Sequence, residues 1–154
     1  MNVNFHLVNA LPPVADVFAT SSDSDIIDAG MGDGVLFVIY SGAVSGAAVN
    51  TVTVEASSTI TATAVTTVPF VYRACVATDV WGAWTAAAVA GFSANNTVAN
   101  SMWQIYVDSA EIAEAGYRYV RLSTDETGNF TVLGGVLAMV INPRYAPMPA
   151  TVLD

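Results

Sequence analysis

Short runs of period-two alternation, cut apart by Gly, Pro, Asn and Ser, dominate this chain and leave little room for helix. Thr51 to Ala56 places Val52, Val54 and Ala56 on one face and Thr51, Thr53 and Glu55 on the other. Trp103, Ile105 and Val107 alternate in the same way with Gln104, Tyr106 and Asp108, and Val120 and Leu122 oppose Tyr119 and Arg121. Val35 to Tyr40 is a continuous apolar run, the pattern of a strand buried on both faces. Thr59 to Thr67, rich in β-branched residues, extends the strand signature. Phe70 to Ala77, Ala86 to Ala90 and Thr131 to Ile141 complete the expected strands. One helix is predicted, Ser109 to Ala115. Asp108 with Glu111 forms its capping box and Gly116 its stop.

Many short strands at this spacing predict an all-β fold, an antiparallel β-sandwich with jelly roll as its plausible subtype. The length suits one domain over residues 1–154, with a core of about 24–142. Residues 1–23 and 143–154 are expected to be extended arms. Pro12-Pro13 forbids helix in the first, and Pro143, Pro147 and Pro149 do so in the second.

Charge narrows the partners. Four Arg and no Lys stand against thirteen carboxylates, for a net charge of −9. Nucleic acid and anionic membrane surfaces both demand clustered cations, so neither is expected. The longest apolar run, Val132 to Ile141, is half the ~20 residues a membrane helix needs. With 54% hydrophobic and 11% charged residues, part of the apolar surplus should be buried against another subunit.

No catalytic, cofactor or metal site is expected. A nucleophile needs an adjacent base, and the sole His6 lies in the arm while the sole Cys75 lies in an apolar strand. Glu55, Glu111, Glu114 and Glu126 show no paired arrangement with a sugar-binding aromatic cluster. Asp23, Asp25 and Asp28 lack calcium-loop grammar, because Ile27 and Asp28 take the fifth and sixth places. An irregular Ca²⁺ site there stays open. The candidates for partner binding are aromatic or proline-marked. Trp81 and Trp84 flank Gly82 in a turn, whereas Trp103 is expected in the core. Arg144-Tyr145 offers a planar cation and an aromatic on a low-entropy segment, and Pro12 and Pro13 mark the other arm.

Several segments together resemble a family of small tailed-phage virion proteins encoded near the major capsid protein. They are Leu11 to Val14 leading to Ser24 to Asp28, then Val35 to Gly42 and Thr51 to Ala56. Trp103 to Asp108, Ala113 to Leu122 and Val136 to Ala146 continue the likeness over most of the chain. The resemblance implies a β-rich structural protein and no active site. The expectation that follows is a capsid decoration, or cement, protein on the outer virion surface. It would bind the major capsid protein as a homo-oligomer, a trimer before a dimer. A head–tail connector or tail component is the alternative within that class, and a carbohydrate-binding sandwich lies outside it.

Overall fold

The computed structural model describes residues 4–144 apart from 21, 47, 78, 97, 98 and 129. The strands are β1 (Phe5–Val14), β2 (Ser22–Asp23), β3 (Ile27–Asp28), β4 (Gly34–Val44), β5 (Ala48–Ser57), β6 (Thr66–Val68) and β7 (Phe70–Ala77). Then follow β8 (Val80–Trp81), β9 (Thr85–Ala87), β10 (Phe92–Asn96), β11 (Met102–Asp108), β12 (Tyr119–Thr127) and β13 (Val132–Ile141). One helix, α1 (Ser109–Glu114), sits between β11 and β12, and a 3-10 turn spans Ala29–Met31. The N-cap and the stop stand where expected: Asp108 accepts from the Ala110 amide, and Gly116 follows the helix at φ +85°.

Two antiparallel sheets enclose the core. The large sheet runs β1-β13-β4-β11-β7-β8, with β9 also on β7. The small sheet runs β10-β5-β12-β2, with β3 on β12 and β6 on β5. The pairings follow one rule. β1 pairs β13, β2 pairs β12, β4 pairs β11 and β5 pairs β10, so the chain is one long hairpin. The hairpin rolls up when β13 joins β4 and β12 joins β5. A rolled hairpin with its halves split over two sheets is a jelly roll, with β7 and its short partners β8 and β9 added to the large sheet beyond β11.

The apolar rows found by alternation face inward. Val52, Val54 and Ala56 meet Val35, Phe37, Ile39, Ile105, Val120 and Leu122, all buried. Trp103 is in the core as expected, edge-on to Phe18 at 5.8 Å and 87°. Tyr72 and Phe92 stack across the sheets at 3.9 Å.

Four expectations need correction. Ala86 to Ala90 is strand only to Ala87, because the chain then turns, with the Gly91 amide on the Ala88 carbonyl at 2.8 Å and Gly91 at φ +78°. The described part of residues 1–23 is not an arm outside the core. From Phe5 to Val14 they form an edge strand in register with Ile141 to Gly134, and the Ala10 carbonyl accepts from the Asp25 amide. Val17 and Phe18 then cross from one sheet to the other and are wholly buried. Pro12-Pro13 is compatible with this, because an edge strand can spare ladder donors and the register shifts between Leu11 and Val14. Gly134 and Gly135 admit the close approach: a Cβ on Gly134 would lie 2.5 Å from the Tyr40 oxygen, and one on Gly135 2.9 Å from the Leu11 oxygen. Val35 to Tyr40 is not buried on both faces, because among the described residues no helix layer covers the outside of the large sheet. Leu36 and Val38 are half-buried and Tyr40 is exposed. Thr59 to Thr67 is mostly turn, with Ala62 at φ +47° and strand only from Thr66.

Candidate docking face

The outer side of the large sheet is built by the same alternation that fills the core. In β13, Val132, Val136, Ala138 and Val140 point inward, which turns Leu133, Leu137, Met139 and Ile141 outward. In β4 the outward set is Leu36, Val38 and Tyr40, and in β1 it is Phe5, Leu7 and Asn9. Register aligns them into rows across the strands. Leu7, Met139, Leu36 and Tyr106 form one row, and Asn9, Leu137, Val38 and Gln104 the next. Phe5 (43%), Leu7 (52%), Tyr40 (54%), Leu133 (50%) and Leu137 (38%) are substantially exposed. No outward position on β1, β13 or β4 is charged. Tyr106 borders this face, with its ring over Gly34. Its phenol is held above the usual tyrosine range, first by burial and then by Asp108, Asp33 and Glu111.

At the far edge of the same sheet, Trp81 and Trp84 come together around Arg73. Its guanidinium carbon lies 4.8 Å from the Trp81 ring centre and 4.6 Å from that of Trp84. Arg73 Nε donates to Gln104 Oε1 at 2.7 Å, extending the Leu137–Val38–Gln104 row to this edge. Trp84 is the exposed one of the pair. A cation between two indoles gains attraction without a carboxylate and holds both rings in place.

The ionic chemistry lies mostly elsewhere. On the small sheet Arg121 spans three strands, reaching Asp23 at 2.8 Å and Glu55 at 2.7 Å. Arg118 grips Asp28 through two bonds of 2.9 and 2.7 Å, and that pairing raises the guanidinium's affinity for its proton. Asp23 and Asp28 are thus bound to different arginines. Among the described residues no group of three or more His, Cys, Asp or Glu side chains is placed to hold a metal ion. Glu111 and Glu114 border an open hollow with Val68, Pro69 and Ile112.

The structure does not bring His6 and Cys75 together. Four strand steps separate β1 from β7 in the large sheet, at least about 19 Å. The Cys75 thiol is buried and donates to the Ala77 carbonyl at 3.0 Å.

The six partner-binding candidates fall in different places. Trp81 and Trp84 share one site. Pro12 and Pro13 are exposed on β1, at the opposite edge of the large sheet. Arg144 is exposed beyond the end of β13, where its amide bonds the Met31 carbonyl at 3.0 Å. Tyr145 lies outside the described residues. The apolar face itself went unnoticed in the pattern. The available signal was that continuous apolar runs in antiparallel strands, in a chain with one short helix, leave one face without cover.

Comparison with known protein families and with curated proteins returns no match. Among solved structures, the chain is similar to the crystal structure of SPBc2 prophage-derived protein YomS. The TM-score is 0.51 at 13% identity, over 92% of this chain and 96% of that one. The likeness is one of fold.

Proposed function

We propose that this chain is a structural protein of a phage virion, a decoration or cement protein that binds the lattice of the major capsid protein from outside. The observation that carries the proposal is an assembly surface in two parts, the uncharged apolar face and the Trp81–Arg73–Trp84 edge of the same sheet, on a domain whose net charge is −9. Such a face is built to be covered by protein, and the acidic remainder would be repelled by packaged DNA, which favours an outer position. The likeness of fold to a prophage-derived protein agrees with this reading. The expected contacts to the capsid are the Trp81–Arg73–Trp84 edge and the Arg144–Tyr145 segment, both aromatic and cationic as binding hot spots tend to be.

The test is co-sedimentation of the purified protein with assembled heads of the virus that encodes it, with copies per particle counted. Saturation at hundreds of copies supports decoration. About a dozen copies would identify a connector, and no binding overturns the proposal. One further reading has support in the paired indoles: Trp84 could present a sugar platform. A glycan array with wild type and Trp84→Ala decides it, since that reading requires binding that the substitution abolishes.

A further inference from the structure

We propose that the outer face of the large sheet is a self-association surface, covered by a second copy of this chain. The occupant follows from charge and area. Two molecules of charge −9 repel each other over most approaches. The face made by β1, β13 and β4 carries no charged side chain, so two copies can meet there without opposing carboxylates. A cationic partner, by contrast, would find no carboxylate on these three strands; the nearest, Asp33, Asp108 and Glu111, stand beside Tyr106 at one border of the face.

At roughly 200 Å² for a large side chain, the exposed fractions of Phe5, Leu7, Tyr40, Leu133 and Leu137 present on the order of 500 Å². Half-buried Leu36, Val38, Met102, Met139 and Ile141 lie between and beside them and carry the patch toward the ~800 Å² per partner of a stable complex. The surface is built on strands inside a hydrogen-bonded sheet, so little ordering cost opposes association. It also lies away from the carboxylates of the small sheet, whose ion pairs face outward on the other side.

The inference deepens the structural-protein reading and rests on it for its biological setting, but the two fail separately. A monomer that still decorates heads overturns self-association alone. A multimer that ignores heads overturns decoration alone.

The test is light scattering on the full chain from low to high micromolar concentration, for wild type, Leu137→Asp, Leu7→Asp and the control Ile60→Asp. Ile60 is exposed in the turn after β5, away from the large sheet. Wild type and the control should show at least twice the 16.0 kDa of one chain. Each face variant should weaken association by about 100-fold. Raising salt should tighten wild-type association, because it screens the repulsion and leaves the apolar contact intact. Circular dichroism melts establish that the variants are folded. If Leu137→Asp melts, Leu7→Asp on the edge strand is read alone. A wild type at 16.0 kDa throughout, or face variants that associate as tightly as wild type, overturns the proposal.

Discussion

Phe18→Ala tests whether the first twenty residues belong to the fold. Phe18 is wholly buried and meets the Trp103 ring edge-on at 5.8 Å. Its backbone is fixed on both sides: the Val17 amide donates to the Val132 carbonyl at 2.9 Å, and the Phe18 amide to Asp16 Oδ1 at 3.2 Å. A collapse that fills the hole is therefore resisted. Removing a buried phenylalanine costs about 3–5 kcal/mol, and the lost aromatic pair places the value in the upper half of that range. For a domain of this size, that lowers the melting temperature by about 10 °C or more. The same change in a solvated arm would cost less than about 0.5 kcal/mol. Urea unfolding followed by far-UV circular dichroism separates the two, and avoids the Trp103 fluorescence that the substitution would itself disturb. A loss below about 1 kcal/mol would refute the assignment of this segment to the core.

Tyr106 ties stability to alkaline pH. Because its folded-state pKa is raised above 10.0, the fold holds this proton more tightly than the unfolded chain does. Stability is unaffected below that value and falls as pH rises through and beyond it. Tyr106→Phe should flatten that loss in melts above pH 10.0 and change little at neutral pH; an unchanged alkaline slope would contradict it. Gly91→Ala should destabilise by about 2 kcal/mol or more, since φ is +78° and a Cβ would lie 2.2 Å from the Val52 oxygen; chemical denaturation showing no change would be inconsistent with this turn. Arg121→Ala should cost about 2 kcal/mol, because it leaves Asp23 and Glu55 facing each other unneutralised across β12; an effect under about 0.5 kcal/mol would make these pairs ordinary surface contacts. Chelator should leave the melting temperature unchanged, because Asp23 and Asp28 are held by arginines; a fall on adding EDTA would revive an Asp23–Asp25–Asp28 cation site.

Local features were legible wherever one residue determines one outcome. Alternation in 51–56 and 103–108 predicts which side chains point inward, and Asp108 predicts the helix start, because capping depends on neighbours two residues away. Partners more than a hundred residues apart leave no local mark, so the pairing of β1 with β13 could not be read. β1 itself was hard to see because Phe5-His6-Leu7-Val8 shows no clean apolar–polar alternation, His6 sharing a face with Val8, and Pro12-Pro13 argues against a strand unless the strand lies at an edge. The exposed apolar face of the large sheet was hard to see for a related reason. Leu36, Val38 and Tyr40 look the same in the sequence whether the outside of their strand is covered by the same chain, by another chain or by water. Trp81 and Trp84 were picked out by their turn, but Arg73 between them was not, since register alone brings it there.

The rolled hairpin also orders events in time. His6 pairs with Val140, and the Asn142 amide closes on the Asn4 carbonyl at 2.9 Å. A ribosome releasing the chain at ~5–20 residues per second leaves β1 without its ladder for on the order of ten seconds. Throughout that wait Phe5, Leu7 and Val8 are open to any passing strand edge. The large sheet cannot close before β13 has been made, since β13 lies between β1 and β4 and pairs with both. A nascent chain stalled before Val132 would hold two separated edges with nothing between them, the state in which neighbouring copies on one message are most prone to exchange strands. Pro12-Pro13, which cannot donate to a foreign ladder, stands on the strand that waits longest.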